Sequence, residues 1–189
     1  ERGQHADFLH VLVDGLVELY AHSAGRDTTM RIVEPVTSFI LAAVVADQPY
    51  LMSARTIMPS RILLIPAVLV REVVKDDAAL MQATMRELAH AYRDMVRALT
   101  DMKLRQSAER LGNLILQQDQ RQGGTGHVHL KAEKRVLASL LGMTPENISR
   151  AFAVLGGHGI TVNGAQVTIT NRAALEAFSR PDPVPGDHP

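Results

Sequence analysis

Residues 144–152 read TPENISRAF. Thr144 followed by Pro145 is a helix start: the hydroxyl accepts from an orphan backbone N–H, and proline fits the first helical position. At about 100° per residue, Glu146, Ser149 and Arg150 then share one sector, and Ile148, Ala151, Phe152 and Leu155 share the opposite one. The spacing predicts a short rod that docks by its apolar side and presents a Glu-Ser-Arg surface near its N-terminal end. A solvated helix face with an incidental Glu–Arg pair at i, i+4 would have the same letters. The flanking sequence decides between the two.

Upstream, KAEKRVLASLLGM (131–143) reads as a helix with Val136, Leu137, Leu140 and Leu141 apolar, joined to the rod through Gly142-Met143. Downstream, ITVNGAQVTI (160–169) reads as two β-branched strands around Asn163-Gly164, a type I′ turn pair. Two helices across a short glycine-containing turn, followed by a hairpin, describe a winged helix-turn-helix. DNA reading accounts for the side chains. Arg donates two parallel hydrogen bonds to guanine, Glu accepts from the cytosine amine, and Ser reaches base or phosphate. Glu146, Ser149 and Arg150 are therefore the expected base readers. His129, Lys131, Lys134 and Arg135, with Thr144 and Asn147 at the head of the rod, are the expected phosphate contacts, which fix register without reading sequence.

The charge distribution agrees. The chain has 189 residues and no formal net charge, yet residues 1–102 carry ten Lys/Arg against thirteen Asp/Glu, and residues 103–180 carry ten against five. A basic back half is what a polyanion partner requires. Hydrophobic residues at 46% and charged residues at 21% indicate a globular chain. The longest apolar run, SFILAAVVA, is too short to span a bilayer and no signal peptide opens the sequence, so no membrane partner and a cytoplasmic location are expected. With no cysteine, disulfides and thiolate metal sites are excluded within these residues.

Working outward, Met81, Met85, Leu88, Tyr92, Met95, Leu99 and Met102 are separated by alternating fours and threes. This heptad seam is narrow and flanked by Arg86, Glu87, Arg93, Asp94 and Arg97, which favours a helix paired with its copy over one packed on its own domain. A homodimer is expected. Residues 8–65 have instead a period-two texture. FLHVLV (8–13) and LVELYA (16–21) flank Asp14-Gly15, a hairpin signal. A turn at 24–26 precedes TTMRIV, and SARTIM (53–58) and RILLIP (61–66) flank Pro59-Ser60. Short strands at this spacing suggest an antiparallel roll. RQSAERLGNLILQQ (105–118) is an amphipathic helix with Ala108, Leu111, Leu114 and Ile115 on one face, and QRQGGTGH (120–127) is a loop.

ENISRAFAVLGGHGITVNGAQVTITN (146–171) resembles the DNA-binding end of the Crp/Fnr superfamily of bacterial transcription regulators, whose Fnr-like branch has the Glu-x-x-Ser-Arg pattern met here by Glu146, Ser149 and Arg150. ERGQHADFLHVLVDGLVELYAHSAG (1–25) resembles the opening strands of that superfamily's cyclic-nucleotide-binding-like roll, whose first few dozen residues would lie upstream of Glu1. The heptad helix resembles its dimerisation helix. The resemblance implies an α+β chain: an effector-sensing β-roll at 1–75, a dimerisation helix at 76–103 and a winged helix-turn-helix at 104–180; the proline-rich tail at 181–189 is expected to be disordered. It also implies a dimer on a palindromic double-stranded promoter site of TTGAT or TTGNC half-site type, acting with RNA polymerase, and no enzymatic activity.

Cyclic-nucleotide-binding members carry a Gly-Glu and an Arg-Ser that hold ribose and phosphate. The matching stretch FILAAVVADQPYLMSA (39–54) has Ala42 in place of the Glu and Met52 in place of the Arg, leaving only Ser53. A pocket with no cation is a poor phosphate site, so cyclic nucleotide is not expected. Neither is the cysteine-held iron–sulfur cluster of oxygen sensors. DQPYLMSARTIMPSRILLIP (47–66) looks most like the nitric-oxide-responsive Dnr/Nnr group, which implies haem in an apolar pocket. Leu41, Ala42, Val44, Val45, Tyr50, Leu51 and Met52 are the candidate lining residues, or equally ordinary core. Of His5, His10, His22 and His90, none is singled out by spacing as a ligand. Two other readings are carried along: a dimeric sensor acting through protein partners, which leaves the basic half unexplained, and a cupin-like enzyme, for which the roll lacks an HxH or HxE strand motif.

Overall fold

The computed structural model describes residues 1–181; the rest of the tail expected to be disordered lies outside the described residues. The chain divides into two units, 1–99 and 100–189.

The first unit is a roll of two three-stranded antiparallel sheets. One has the order β4-β1-β6 and the other β3-β2-β5. The strands are β1 (Phe8–Asp14), β2 (Val17–Ser23), β3 (Arg26–Val33), β4 (Thr37–Phe39), β5 (Ser53–Thr56) and β6 (Arg61–Pro66). The turn at 24–26 joins β2 to β3 as a hairpin, with Ser23 opposite Arg26. Asp14-Gly15 does not make a hairpin: β1 pairs with β4 and β6, β2 with β3 and β5. It is a corner where the chain leaves one sheet for the other. Pro59-Ser60 is the matching corner between β5 and β6. The two corners touch, since the Leu16 N–H donates to Ser60 Oγ at 3.1 Å. Gly15 has φ +98°, and a Cβ there would run into Ser60 and the Pro59 carbonyl. Leu12 and Phe39 of one sheet pack on Val17, Leu19 and Val33 of the other. A second cluster, Ala6, Leu9, Ala43, Val44, Tyr50 and Ala67, fills the opposite face of β1.

Two helices interrupt the period-two region and its end: α1 (Leu41–Ala46), which the apolar run concealed, and α2 (Ala67–Asp76). Helix α3 spans Ala78–Leu104. It begins at 78 and not 76 because Asp77 is extended, and its carboxylate accepts from the Ala79 and Leu80 N–H groups at 2.8 and 3.0 Å.

The second unit contains α4 (Ser107–Arg121), β7 (His127–His129), α5 (Lys134–Leu140), α6 (Pro145–Gly156), β8 (Ile160–Asn163), β9 (Gln166–Ile169) and α7 (Arg172–Ser179). Its sheet has the order β7-β9-β8. Three expectations change here. The helix expected over 131–143 is shorter, and His129 lies on β7 instead, where its N–H and C=O pair with the Gln122 side chain. The wing turn is Gly164-Ala165, because Asn163 pairs with Gln166. Positive φ falls on Gly164 and not on Ala165, the pattern of a type II′ turn and not I′. Helix α7, capped by the Asn171 side chain on the Ala174 N–H at 3.0 Å, closes the unit.

Candidate nucleic-acid interface

Helix α6 forms where its sequence dictates. Thr144 Oγ1 accepts from the Asn147 N–H at 3.2 Å, and Pro145 occupies the first turn. Ile148, Ala151, Phe152 and Leu155 are buried. Since α4 packs against both α6 and α7, this apolar ridge fixes the roll of the helix about its own axis. Glu146, Asn147, Ser149 and Arg150 are all exposed in consequence.

The exposed groups differ in how free they are. Arg150 makes no hydrogen bond or ion pair among the described residues, so its five donors face water. Ser149 Oγ donates back to the Pro145 carbonyl at 3.2 Å, which leaves the hydroxyl an acceptor toward a ligand. The Thr144 hydroxyl, the residue's own backbone amide and the Arg150 charge hold the Glu146 carboxyl below its ordinary pKa. It is ionised at neutral pH and able only to accept. One acceptor and one five-donor fork on the outer face of the same helix suit a guanine–cytosine edge.

The expected phosphate contacts are spread over three elements. Lys134 and Arg135 open α5 and are exposed, with the Lys134 ammonium 5.4 Å from the centre of the Phe152 ring. Lys131 is exposed just before α5, and His129 sits on the wing sheet with Nδ1 2.9 Å from Gln166 Nε2. Arg110 is a positioning residue that the sequence did not disclose. Its Nε donates to the Leu141 carbonyl at 2.9 Å and its Nη1 to the Arg105 carbonyl at 2.7 Å. It thereby ties α4 to the turn between α5 and α6, where α5 leaves a carbonyl unsatisfied. Gly142, φ +61°, lies in that turn against the Met102 side chain.

On α3, the seam is exposed in the single chain: Met85 is 65% exposed, Tyr92 64% and Met95 63%, with Met81, Leu99 and Met102 also open and Leu88 half-buried. The seven residues considered for an effector do not line one space. Val44 and Tyr50 are buried in the cluster behind β1, Met52 packs against the other cluster, and Leu41 and Val45 are half-buried. Ala42 is exposed and Leu51 is 80% exposed. The seven thus divide between two clusters and solvent. Among the described residues there is also no group of three His, Asp or Glu placed to hold a metal ion.

A roll of ligand-binding type followed by a winged helix-turn-helix with a solvent-facing polar ridge defines a DNA-binding regulator. The sequence matches the family described as Crp-like helix-turn-helix domain over residues 109–178 and that described as cyclic nucleotide-binding domain over residues 1–77. The whole chain is similar in fold to FixK2 from Bradyrhizobium japonicum, at 21% identity and TM-score 0.83, covering 93% of this chain and 88% of that one. It is similar also to TTHB099, a CRP-family transcriptional regulator from Thermus thermophilus, at 22% identity and TM-score 0.72, covering 95% and 91%. A CooA variant from Carboxydothermus hydrogenoformans aligns at 16% identity and TM-score 0.77, covering 92% and 79%. No curated protein matches the sequence significantly. The chain is a Crp/Fnr-like transcription regulator with a DNA-binding and a ligand-binding-type domain, and such regulators are not enzymes. No helix among the described residues is long and apolar enough to cross a membrane.

Proposed function

We propose that the chain works as a homodimer that reads a palindromic Fnr-like promoter site through α6, under control of an effector bound in the roll. The observation that carries the reading is Arg150: an exposed guanidinium that makes no hydrogen bond or ion pair among the described residues, projecting from a helix whose opposite ridge is clamped by four buried apolar residues. Glu146 and Ser149 flank it as acceptors, and Lys131, Lys134, Arg135 and His129 supply charge toward the phosphates. The exposed methionine seam of α3 supports pairing with a second copy, and a palindromic site offers two half-sites in major-groove faces about 34 Å apart, one for each recognition helix. A promoter-bound dimer would meet RNA polymerase, and its place of work would be the cytoplasm.

A gel shift with a TTGAT-type palindrome tests this. The wild-type chain is expected to retard it far better than random DNA, and Arg150→Ala to lose roughly 1–3 kcal/mol per half-site. Equal retardation by both proteins, with no preference over random DNA, would end the proposal. Membership of the nitric-oxide-responsive Dnr/Nnr group is the finer reading, and it stands on the likeness of residues 47–66 alone. Supplying haem and following the Soret band as nitric oxide is added tests it without touching the DNA-binding claim.

A further inference from the structure

The two sheets of the roll each carry, on their inward faces, a basic side chain with hydrogen-bonding capacity left unfilled among the described residues. On β1, His10 stands opposite Phe39 and Leu64, so its ring shares the face of Phe39, a core residue 3% exposed. The ring centroids are 5.2 Å apart, and Tyr50 approaches edge-on at 6.1 Å. His10 Nδ1 is buried without a hydrogen bond. The Phe8 carbonyl beside the ring raises its basicity, but it accepts its hydrogen bond from the Tyr50 hydroxyl, at 3.2 Å. Burial is the larger effect and lowers the His10 pKa, so the ring is neutral at neutral pH.

On β3, Arg31 stands opposite Leu19, which is 2% exposed in the core between the sheets. Directly opposed residues of antiparallel strands share a face, so Arg31 leaves its strand inward. It is half-buried and makes no hydrogen bond or ion pair among the described residues. The other half-buried arginines of the roll are both paired: Arg55 with Glu18 and Asp27, Arg71 with Asp47. An unpaired, partly desolvated guanidinium is costly unless an anion completes it.

Both groups lie in the same layer of the roll. Going away from the Gly15 corner, the first inward residues are Leu12 on one sheet and Val17 with Val33 on the other. The next are His10 on one, and Leu19 with Arg31 on the other. The layer opens at this level and beyond it, with Leu64, opposite His10, 50% exposed and Phe8 41% exposed. A cation, a neutral imidazole and an open apolar rim therefore converge on one end of the roll. Resting on the reading of the roll as the effector domain, we propose that this layer binds a small organic oxyanion, a carboxylate or phosphate on an apolar body. Arg31 pairs with the anion through its two-pronged fork, His10 supplies the adjacent hydrogen bond, and Leu64 and Phe8 cover the apolar part. The layer borders the cassette position Met52, which packs on the same cluster as Leu19 and Phe39, and Arg31 provides the cation that position lacks.

Octanoate, octyl phosphate and octan-1-ol, titrated calorimetrically into the purified chain alongside melting curves, test the proposal. At least one of the two anions is expected to bind and raise the Tm while the alcohol of equal length does neither; which anion wins separates carboxylate from phosphate. Arg31→Met should weaken that binding by roughly tenfold to a hundredfold, the range of a charged hydrogen bond. Arg61→Met, which removes an exposed arginine of β6, should leave it unchanged. Should the methionine variant melt without cooperativity, Arg31→Gln takes its place. Equal binding of alcohol and anions, no binding of either anion, or binding that is indifferent to Arg31 overturns the inference. Anion binding through Arg31 in a chain that retards no palindrome overturns the regulator reading alone. The converse, a palindrome retarded and an anion response blind to Arg31, overturns this one alone.

Discussion

Asp119 Oδ1 accepts a hydrogen bond from the Gly126 N–H at 2.7 Å, and that contact closes the glycine-rich loop between α4 and β7. The carboxylate is fully buried, and its second oxygen is taken by Arg172 at the start of α7. One side chain thus joins three elements of the DNA-binding unit. Asp119→Ala leaves a part-buried N–H unmet and frees α7, while Arg172, 44% exposed, is rescued by water. The expected loss is roughly 2–3 kcal/mol, less than for a pair buried on both sides. Urea unfolding followed by circular dichroism measures it. A loss below about 0.5 kcal/mol would mean the loop is held some other way.

Gly15 should tolerate no side chain. Its φ of +98° excludes most residues, and a Cβ would meet the Ser60 corner. Gly15→Ala is expected to destabilise the roll by roughly 2–3 kcal/mol, and Ser60→Gly should not restore it, because the Pro59 carbonyl and the Ser60 Cα still stand where the Cβ would go. Thermal melts of Gly15→Ala and of the double variant decide. A Gly15→Ala chain that melts within about 0.5 kcal/mol of wild type would sink the steric account.

Helical periods survived translation into structure better than strand pairing did. The 3.5-residue seam and the ridge of α6 are local patterns, and both helices formed where those patterns lay. The corner at Asp14-Gly15 carries the letters of a hairpin, but its strands find partners far along the chain, which no local signal specifies. Arg31 was hidden for a similar reason. Thr29 and Arg31 are two residues apart and would share a face in a regular strand. A bulge at Met30 puts Thr29 opposite Tyr20 and Arg31 opposite Leu19, so Thr29 bonds Glu18 while Arg31 turns to the core. The apolar letters of 41–52 could not reveal that they divide between two clusters and solvent. Helix α7 has a local signal of its own, Asn171 as a cap followed by RAALEAFS.

The α3 seam gives the most direct handle on assembly. Met85 and Met95 are more than half exposed in the single chain, and each buried methionine would contribute roughly 1.5–3 kcal/mol to pairing. Met85→Glu occurs twice in a dimer and sets two like charges in one seam. It is expected to raise the dimer dissociation constant at least about tenfold, whereas Arg86→Ala on the flank should change it little. Sedimentation velocity across a concentration series gives both numbers. A wild-type chain that sediments as a monomer throughout would remove the homodimer from the proposal.

The head of α6 couples stability, pH and DNA reading through Thr144. Its hydroxyl accepts from the Asn147 N–H and is the main cause of the depressed Glu146 pKa. A carboxyl with a folded pKa below its unfolded value stabilises the fold above the unfolded value, and that contribution fades as pH falls through the folded one. Thr144→Ala should therefore cost about 1 kcal/mol at neutral pH, raise the Glu146 pKa toward its ordinary value, and differ less from wild type in strong acid. Carboxyl-carbon NMR titration of Glu146 in both proteins reads the shift, and urea melts at neutral and acid pH read the stability. If Glu146 titrates alike in the two, the cap does not hold the carboxylate. The lowering of the Glu146 pKa would then rest on the remaining causes, the backbone amide and the Arg150 charge, and Arg150→Ala should be the variant that moves it.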